Sequence, residues 1–272
     1  MLGKLLKYEL KHSARYVMAI YGCALAACAF MLLGMLAGVT WITVVSSLLL
    51  YMIAFAGVVM TMVAVIKNFY DTLYGKQGYL TFTLPVKCSD ILISKVIVSF
   101  FWIIMSCVMM VLIFALILFN AKRQSGDSFT GILDAIKMSG LLEGLPSPAM
   151  FIKFLIILGV VALMYMLTFV GYVYFSVTLA NTRALQKHPK FFGFLIFFGI
   201  YSVSNSLGAA FTSVLPLSVN ITSEKVFIAL ATMNSEDVLA SFGLGGTIFM
   251  ALIALGLLFA TGWIMEHKVN VK

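Results

Sequence analysis

The side chains able to do chemistry are His12, His188 and His267, the cysteines Cys23, Cys28, Cys88 and Cys107, and a small set of carboxylates. A metal site or proton relay inside a bilayer needs histidines or carboxylates gathered within the membrane segments. The three histidines instead lie in polar segments between or beyond the apolar runs, and the spans carry no paired acidic residues. The pairs Gly3-Lys4 and Gly75-Lys76 lack the preceding glycine and following Ser/Thr of a phosphate loop. Three cysteines fall inside apolar runs and Cys88 in a loop, which suits small buried hydrophobes better than a disulfide framework. No catalytic residue, metal ligand set or cofactor site is therefore expected, and if ATP drives this protein another chain must bind it.

What must be positioned is a set of long apolar segments. The chain has 272 residues, 62% hydrophobic and 10% charged, a balance that no soluble domain of this size requires. The apolar runs are continuous rather than alternating, so helices are expected and a membrane β-barrel is not. The reading is an all-α polytopic membrane protein with spans at about 16–37, 41–66, 91–119, 150–180, 191–216 and 244–264. The chain turns at Gly38-Val39-Thr40, and Gly34 and Gly38 form a Gly-xxx-Gly pair at the end of the first span. No soluble domain interrupts the single transmembrane domain, 1–272.

Charge sets the expected orientation. The net charge of +8 is spread over short segments flanking the spans, which argues for topology and against nucleic acid. Segments 1–15, 67–95, 181–190 and the C-terminal tail hold thirteen Lys/Arg against five on the other side, placing both termini in the cytoplasm. Residues 1–15 predict an amphipathic helix in the inner interface: Leu2, Leu5, Leu6, Tyr8 and Leu10 share a face, with Lys4, Lys7, Lys11 and Arg15 around it. The outer segments are then 120–148 and 219–242. In the second, Ser223-Glu224 and Asn234-Ser235-Glu236-Asp237 could each start a short helix.

Two stretches are more polar than a connection or a lipid-facing helix needs. The fifth span carries Tyr201-Ser202-Val203-Ser204-Asn205-Ser206 with Gly208, Thr212 and Ser213 beyond. Ser202, Asn205, Ser206 and Thr212 are candidates for a transport path or a subunit contact, against ordinary helix packing. The cytoplasmic loop 67–90 holds Tyr74-Gly75-Lys76-Gln77-Gly78-Tyr79-Leu80, then Phe82, Leu84 and Pro85. Glycines and proline allow a tight backbone, the large apolar side chains make a platform, and Ser89 is placed as the N-cap of the next helix with Asp90 in its first turn. Exposed apolar groups on a membrane surface suggest a docking site for another protein.

At residues 74–95 the chain resembles the permease subunits of type-2 ATP-binding-cassette (ABC-2) transporters. The matching run is Tyr74 to Leu80, then Leu84-Pro85-Val86, Asp90-Ile91-Leu92 and Ser94-Lys95. Many members carry an acidic or Glu-Arg pair where this chain has Lys76-Gln77. The resemblance implies that 74–86 is a coupling helix seated in a separate ATPase subunit, that 1–15 is the connecting helix beside it, and that two permease chains, identical or paralogous, join two ATPases. ATP and Mg would sit on the ATPases, and this chain would export an amphipathic peptide, lipid-linked molecule or drug across a bacterial plasma membrane. The alternative is a secondary transporter driven by an ion gradient.

Overall fold

The computed structural model describes residues 2–75, 78, 88–125, 148–182, 185, 187–222, 226–230 and 238–267. Helices α1 (Leu2–Ala37), α2 (Thr40–Leu73) and α3 (Cys88–Ser125) belong to one compact unit, Met1–Leu141. The second unit, Leu142–Lys272, holds α4 (Pro148–Ala180), α5 (Pro189–Val214), strands β1 (Leu217–Thr222), β2 (Val226–Leu230) and β3 (Val238–Gly243), and α6 (Leu244–His267). Six helices are long and apolar enough to cross a membrane: Val17–Ala37, Trp41–Leu73, Cys88–Ile117, Ile156–Ala180, Pro189–Val214 and Leu244–His267. The protein is thus a predominantly helical, multi-pass membrane protein.

In the first unit the α1–α2 hairpin turns on two glycines. Gly38 takes φ +67°, and the Val39 N–H reaches back to the Gly34 carbonyl at 3.3 Å, the long bond of a Schellman motif. Gly34 serves a second purpose. A Cβ there would stand 2.7 Å from Ile42 Cγ2, so only glycine lets the two helices close this tightly. Toward this turn the three helices share a core of Ala24, Met31, Leu50, Ala54, Ile113 and Ile117. Toward the other end Val17, Val98 and Trp102 form a second cluster, joined by Leu6, Leu10 and Ala14.

That second cluster changes the reading of the N-terminus. Helix α1 runs unbroken from Leu2 to Ala37, with no joint between residues 15 and 16. Leu6 and Leu10 pack inside the bundle, whereas Tyr8 is exposed, so the apolar stripe faces protein. An amphipathic period only requires that one face be covered; a neighbouring helix covers it as well as lipid does.

In the second unit α4, α5 and α6 pack together, with Phe169 of α4 against Phe197 of α5 and Phe211 of α5 stacked on Phe249 of α6 at 4.6 Å. Between α5 and α6 the chain forms a three-stranded antiparallel sheet in the order β2-β1-β3, where short helices were expected. Val219 pairs with Ile228 and Phe242, and a register irregularity falls at Ile221/Thr222. Val, Ile, Phe and Thr dominate β1 and β2, and their branched or aromatic side chains favour a pleated surface over a helix. The Ser-Glu and Asn-Ser-Glu-Asp runs that suggested helix starts lie between the strands, outside the described residues. Helix α3 also starts two residues early, at Cys88, so Ser89 is in the first turn rather than at the cap; Asp90 is in that turn as expected.

Candidate functional site

A continuous polar seam runs through the first unit, built from one face of each of its three helices. Positions 9, 13 and 21 of α1, 61, 68 and 72 of α2, and 95, 102 and 106 of α3 recur at helical spacing and all turn inward. At its open end Lys95 is 1% exposed, and its ammonium donates to Glu9 Oε1 at 2.7 Å and to the Thr72 hydroxyl oxygen. Thr72 in turn donates to the Asn68 carbonyl at 2.6 Å, and Asn68 Nδ2 points to Glu9 Oε2 at 3.5 Å. Asn68 Oδ1 is buried without a hydrogen-bond partner among the described residues. A buried charge is tolerated only when paired and hydrogen-bonded, and this node supplies both from three helices.

One turn further in, the Trp102 indole N–H donates to Ser13 Oγ at 2.7 Å, while the Ser13 hydroxyl is committed to the Glu9 carbonyl at 2.8 Å. Deeper still, Thr61 donates to the Gly57 carbonyl and Ser106 donates to Thr61 Oγ1 at 2.7 Å. With those hydrogens placed, the Tyr21 hydroxyl must be the donor in its 3.0 Å contact with Ser106. A cavity of about 20 Å³ lies beside Tyr21 and Ser106, walled by Ala24, Ile53, Gly57 and Met109. It has room for about one water and none for a transported molecule. Ser13→Ala is expected to leave the Trp102 N–H buried without an acceptor. The expected cost is about 1–3 kcal/mol, read as a lower unfolding midpoint in detergent, with Ser47→Ala, a half-buried position on α2 whose hydroxyl bonds the Val44 carbonyl of its own helix, nearly unchanged.

The sequence-derived sites are distributed differently. Tyr74 and Gly75 both donate their N–H to the Tyr70 carbonyl, at 2.8 and 3.0 Å, closing α2, and the Gly78 N–H returns to the Gly75 carbonyl at 2.9 Å. A Cβ on Gly75 would meet the Asp71 carbonyl at 2.5 Å, so the turn requires glycine. The Tyr74 ring lies across Phe69 and Tyr70. Lys76, Gln77, Tyr79, Leu80, Phe82, Leu84 and Pro85 lie outside the described residues, so the proposed platform itself is not described. Lys7, Lys11 and Arg15 are exposed on α1, as is expected of basic residues flanking a bundle; Lys4 belongs to α1 by its backbone.

The polar run of α5 is split between two faces. Ser204 and Gly208 are buried, and Thr212 is half-buried toward α6, where its hydroxyl would stand 2.6 Å from a Cβ on Gly246. Ser202 and Ser206 are exposed and Asn205 is half-buried, and Asn205 and Ser206 each donate to the carbonyl four residues back. Six consecutive residues wrap more than one and a half turns, so they cannot share a face.

Glu9 and Lys95 as partners escaped the sequence reading, although a signal existed. Glu9 is the sole acidic residue before Asp71, and Lys95 is a cation inside an apolar span. Lys95 is costly alone in that setting, which predicts a partner without naming it. Among the described residues, no three His, Cys, Asp or Glu side chains gather as a metal site. Compared with protein-family models, curated proteins and solved structures, the chain matches none.

Proposed function

We propose that this protein is the transmembrane permease subunit of an ATP-driven ABC-2 exporter, with ATP and Mg bound by separate ATPase subunits and a second permease copy or paralogue completing the pathway. The observation that carries the reading is the 74–95 segment: its glycines, apolar block and Leu84-Pro85-Val86 lie between the second and third apolar helices, and Lys95 stands two turns into the third. Those helices support it. The apolar parts of α2 and α3 have 33 and 30 residues, about 50 and 45 Å of helix against a hydrocarbon core of about 30 Å. Both therefore project well beyond lipid, where a motor could reach the connection between them. In this reading the surplus of Lys and Arg faces the connection and both termini to the cytoplasm, the three-stranded sheet lies outside, and the membrane is a bacterial plasma membrane.

The 1–15 stretch then serves as the connecting helix through its exposed Lys7, Lys11 and Arg15, as the cytoplasmic end of a continuous α1. The substrate is an amphipathic molecule, a peptide, lipid-linked compound or drug, suited to a path with mild Ser, Thr and Asn polarity. Tyr79→Glu, Phe82→Glu or Leu84→Glu is expected to abolish both co-purification of an ATPase from native membranes and ATP-dependent transport into inverted vesicles. Full association and transport in all three variants would overturn the docking role. A gradient-driven carrier remains the competing reading because Glu9 and Lys95 form a buried ionisable pair. Transport that collapses with a protonophore and survives vanadate would favour it.

A further inference from the structure

We infer that Glu9, Lys95 and Thr72 form a three-way clamp that makes the ends of α1, α2 and α3 move as one body. Thr72 sits in the last turn of α2, which ends at Leu73, and Lys95 lies seven residues after the start of α3 at Cys88. One ammonium bridges the helix that leads into the 74–87 connection and the helix that leads out of it. The same ammonium holds the carboxylate of Glu9, nearly thirty residues before the end of α1. Side chains that merely filled space would hold these ends by contact, and apolar contacts slide. A charged donor shared by two acceptors fixes direction as well as distance.

The placement matters because helices alone are poor at sharing a load. A force on the connection pulls on α2 and α3 separately, and the last turns of a helix are its least secured part. Here Tyr74 and Gly75 fasten the end of α2 to Tyr70, Thr72 fastens its side chain to Asn68, and Lys95 ties that turn to the other two helices. The clamp rests on the exporter reading only for the source of the load. Its geometry lies wholly within the first unit.

The test uses the full-length protein in lipid nanodiscs and needs no partner. Backbone hydrogen exchange is compared in the parent protein, Glu9→Gln, Lys95→Met and the charge-exchanged pair Glu9→Lys with Lys95→Glu. Glu9→Gln is expected to raise exchange about tenfold in three separate places: around residue 9, at 68–73 and at 88–95. The charge-exchanged pair is expected to bring residue 9 and 88–95 back to within about threefold of the parent and to leave 68–73 raised, because a carboxylate at 95 has no hydrogen to give the Thr72 oxygen. A rise confined to α1, or no recovery around residue 9 and at 88–95 in the charge-exchanged pair, overturns the clamp. A second measurement covers variants that fold poorly: spin labels at Lys11→Cys and Asp71→Cys, with the native cysteines replaced. The distance distribution should be narrow in the parent and broadened in Lys95→Met; an unchanged width overturns the clamp. Loss of ATPase association in Phe82→Glu tests the docking reading alone, so the two ideas fail separately.

Discussion

Glu9→Met is expected to destabilise the protein by about 3–5 kcal/mol, because it takes the Glu9 counter-charge from an ammonium that is 1% exposed. Lys95→Met should cost less. The carboxylate it orphans is 13% exposed and close to the helix ends, so water can reach it and replace part of what was lost. The double variant, Met at both positions, is expected to recover most of the loss. Replacing a buried ion pair by apolar side chains of similar volume is often neutral or stabilising, since both desolvation costs vanish together. Thr72 would still donate to the Asn68 carbonyl, while Asn68 Nδ2 would lose its acceptor at Glu9. Denaturant titration of the purified protein in detergent micelles gives all three values. Simple additivity of the two single losses would show that the residues do not act as a pair.

The same pair marks the boundary of what sequence could tell. Four of the six spans were legible to within three residues at each end: 16–37 against Val17–Ala37, 91–119 against Cys88–Ile117, 191–216 against Pro189–Val214 and 244–264 against Leu244–His267, while the fourth was read from 150 rather than Ile156. Membrane insertion is governed by local hydropathy, which one window of sequence contains. The second span was read short, at 66 rather than Leu73, because Lys67, Asn68 and Asp71 look like a loop. In the fold Asn68 faces the Glu9–Lys95 node, and its polarity is absorbed by tertiary contact. Partners 86 residues apart in sequence, such as Glu9 and Lys95, leave no periodic trace.

The three-stranded sheet and the spread of the α5 polar run escaped the sequence for different reasons. Ser-Glu and Asn-Ser-Glu-Asp are equally at home in turns and at helix starts, because the same short polar side chains satisfy backbone groups in both. The β-branched density of 217–230 was the better guide. The α5 candidates Ser202, Asn205, Ser206 and Thr212 divide by the 100° step per residue: Thr212 falls on the face of the buried Ser204 and Gly208, and Ser202, Asn205 and Ser206 stay together.

That packing face carries the second large effect. Gly246→Val is expected to destabilise the α5–α6 pair by about 1–3 kcal/mol or more. A Cβ at Gly246 would stand 2.6 Å from Thr212 Oγ1 and 3.0 Å from the Gly208 carbonyl. The hydroxyl could rotate away, but it donates to that same carbonyl at 2.8 Å, and the carbonyl belongs to the helix. Gly245 is tighter still against the Leu215 carbonyl, so the first turn of α6 has no direction in which to yield. On the far part of the same helix Gly256 meets nothing within 4 Å. Gly256→Ala is therefore expected to stabilise by about 0.5–1 kcal/mol, through the smaller entropy loss of alanine in a helix. Opposite signs at two glycines of one helix, read by thermal unfolding in detergent, separate close approach from helix propensity. Equal losses at both would mean that α6 is seated elsewhere on α5.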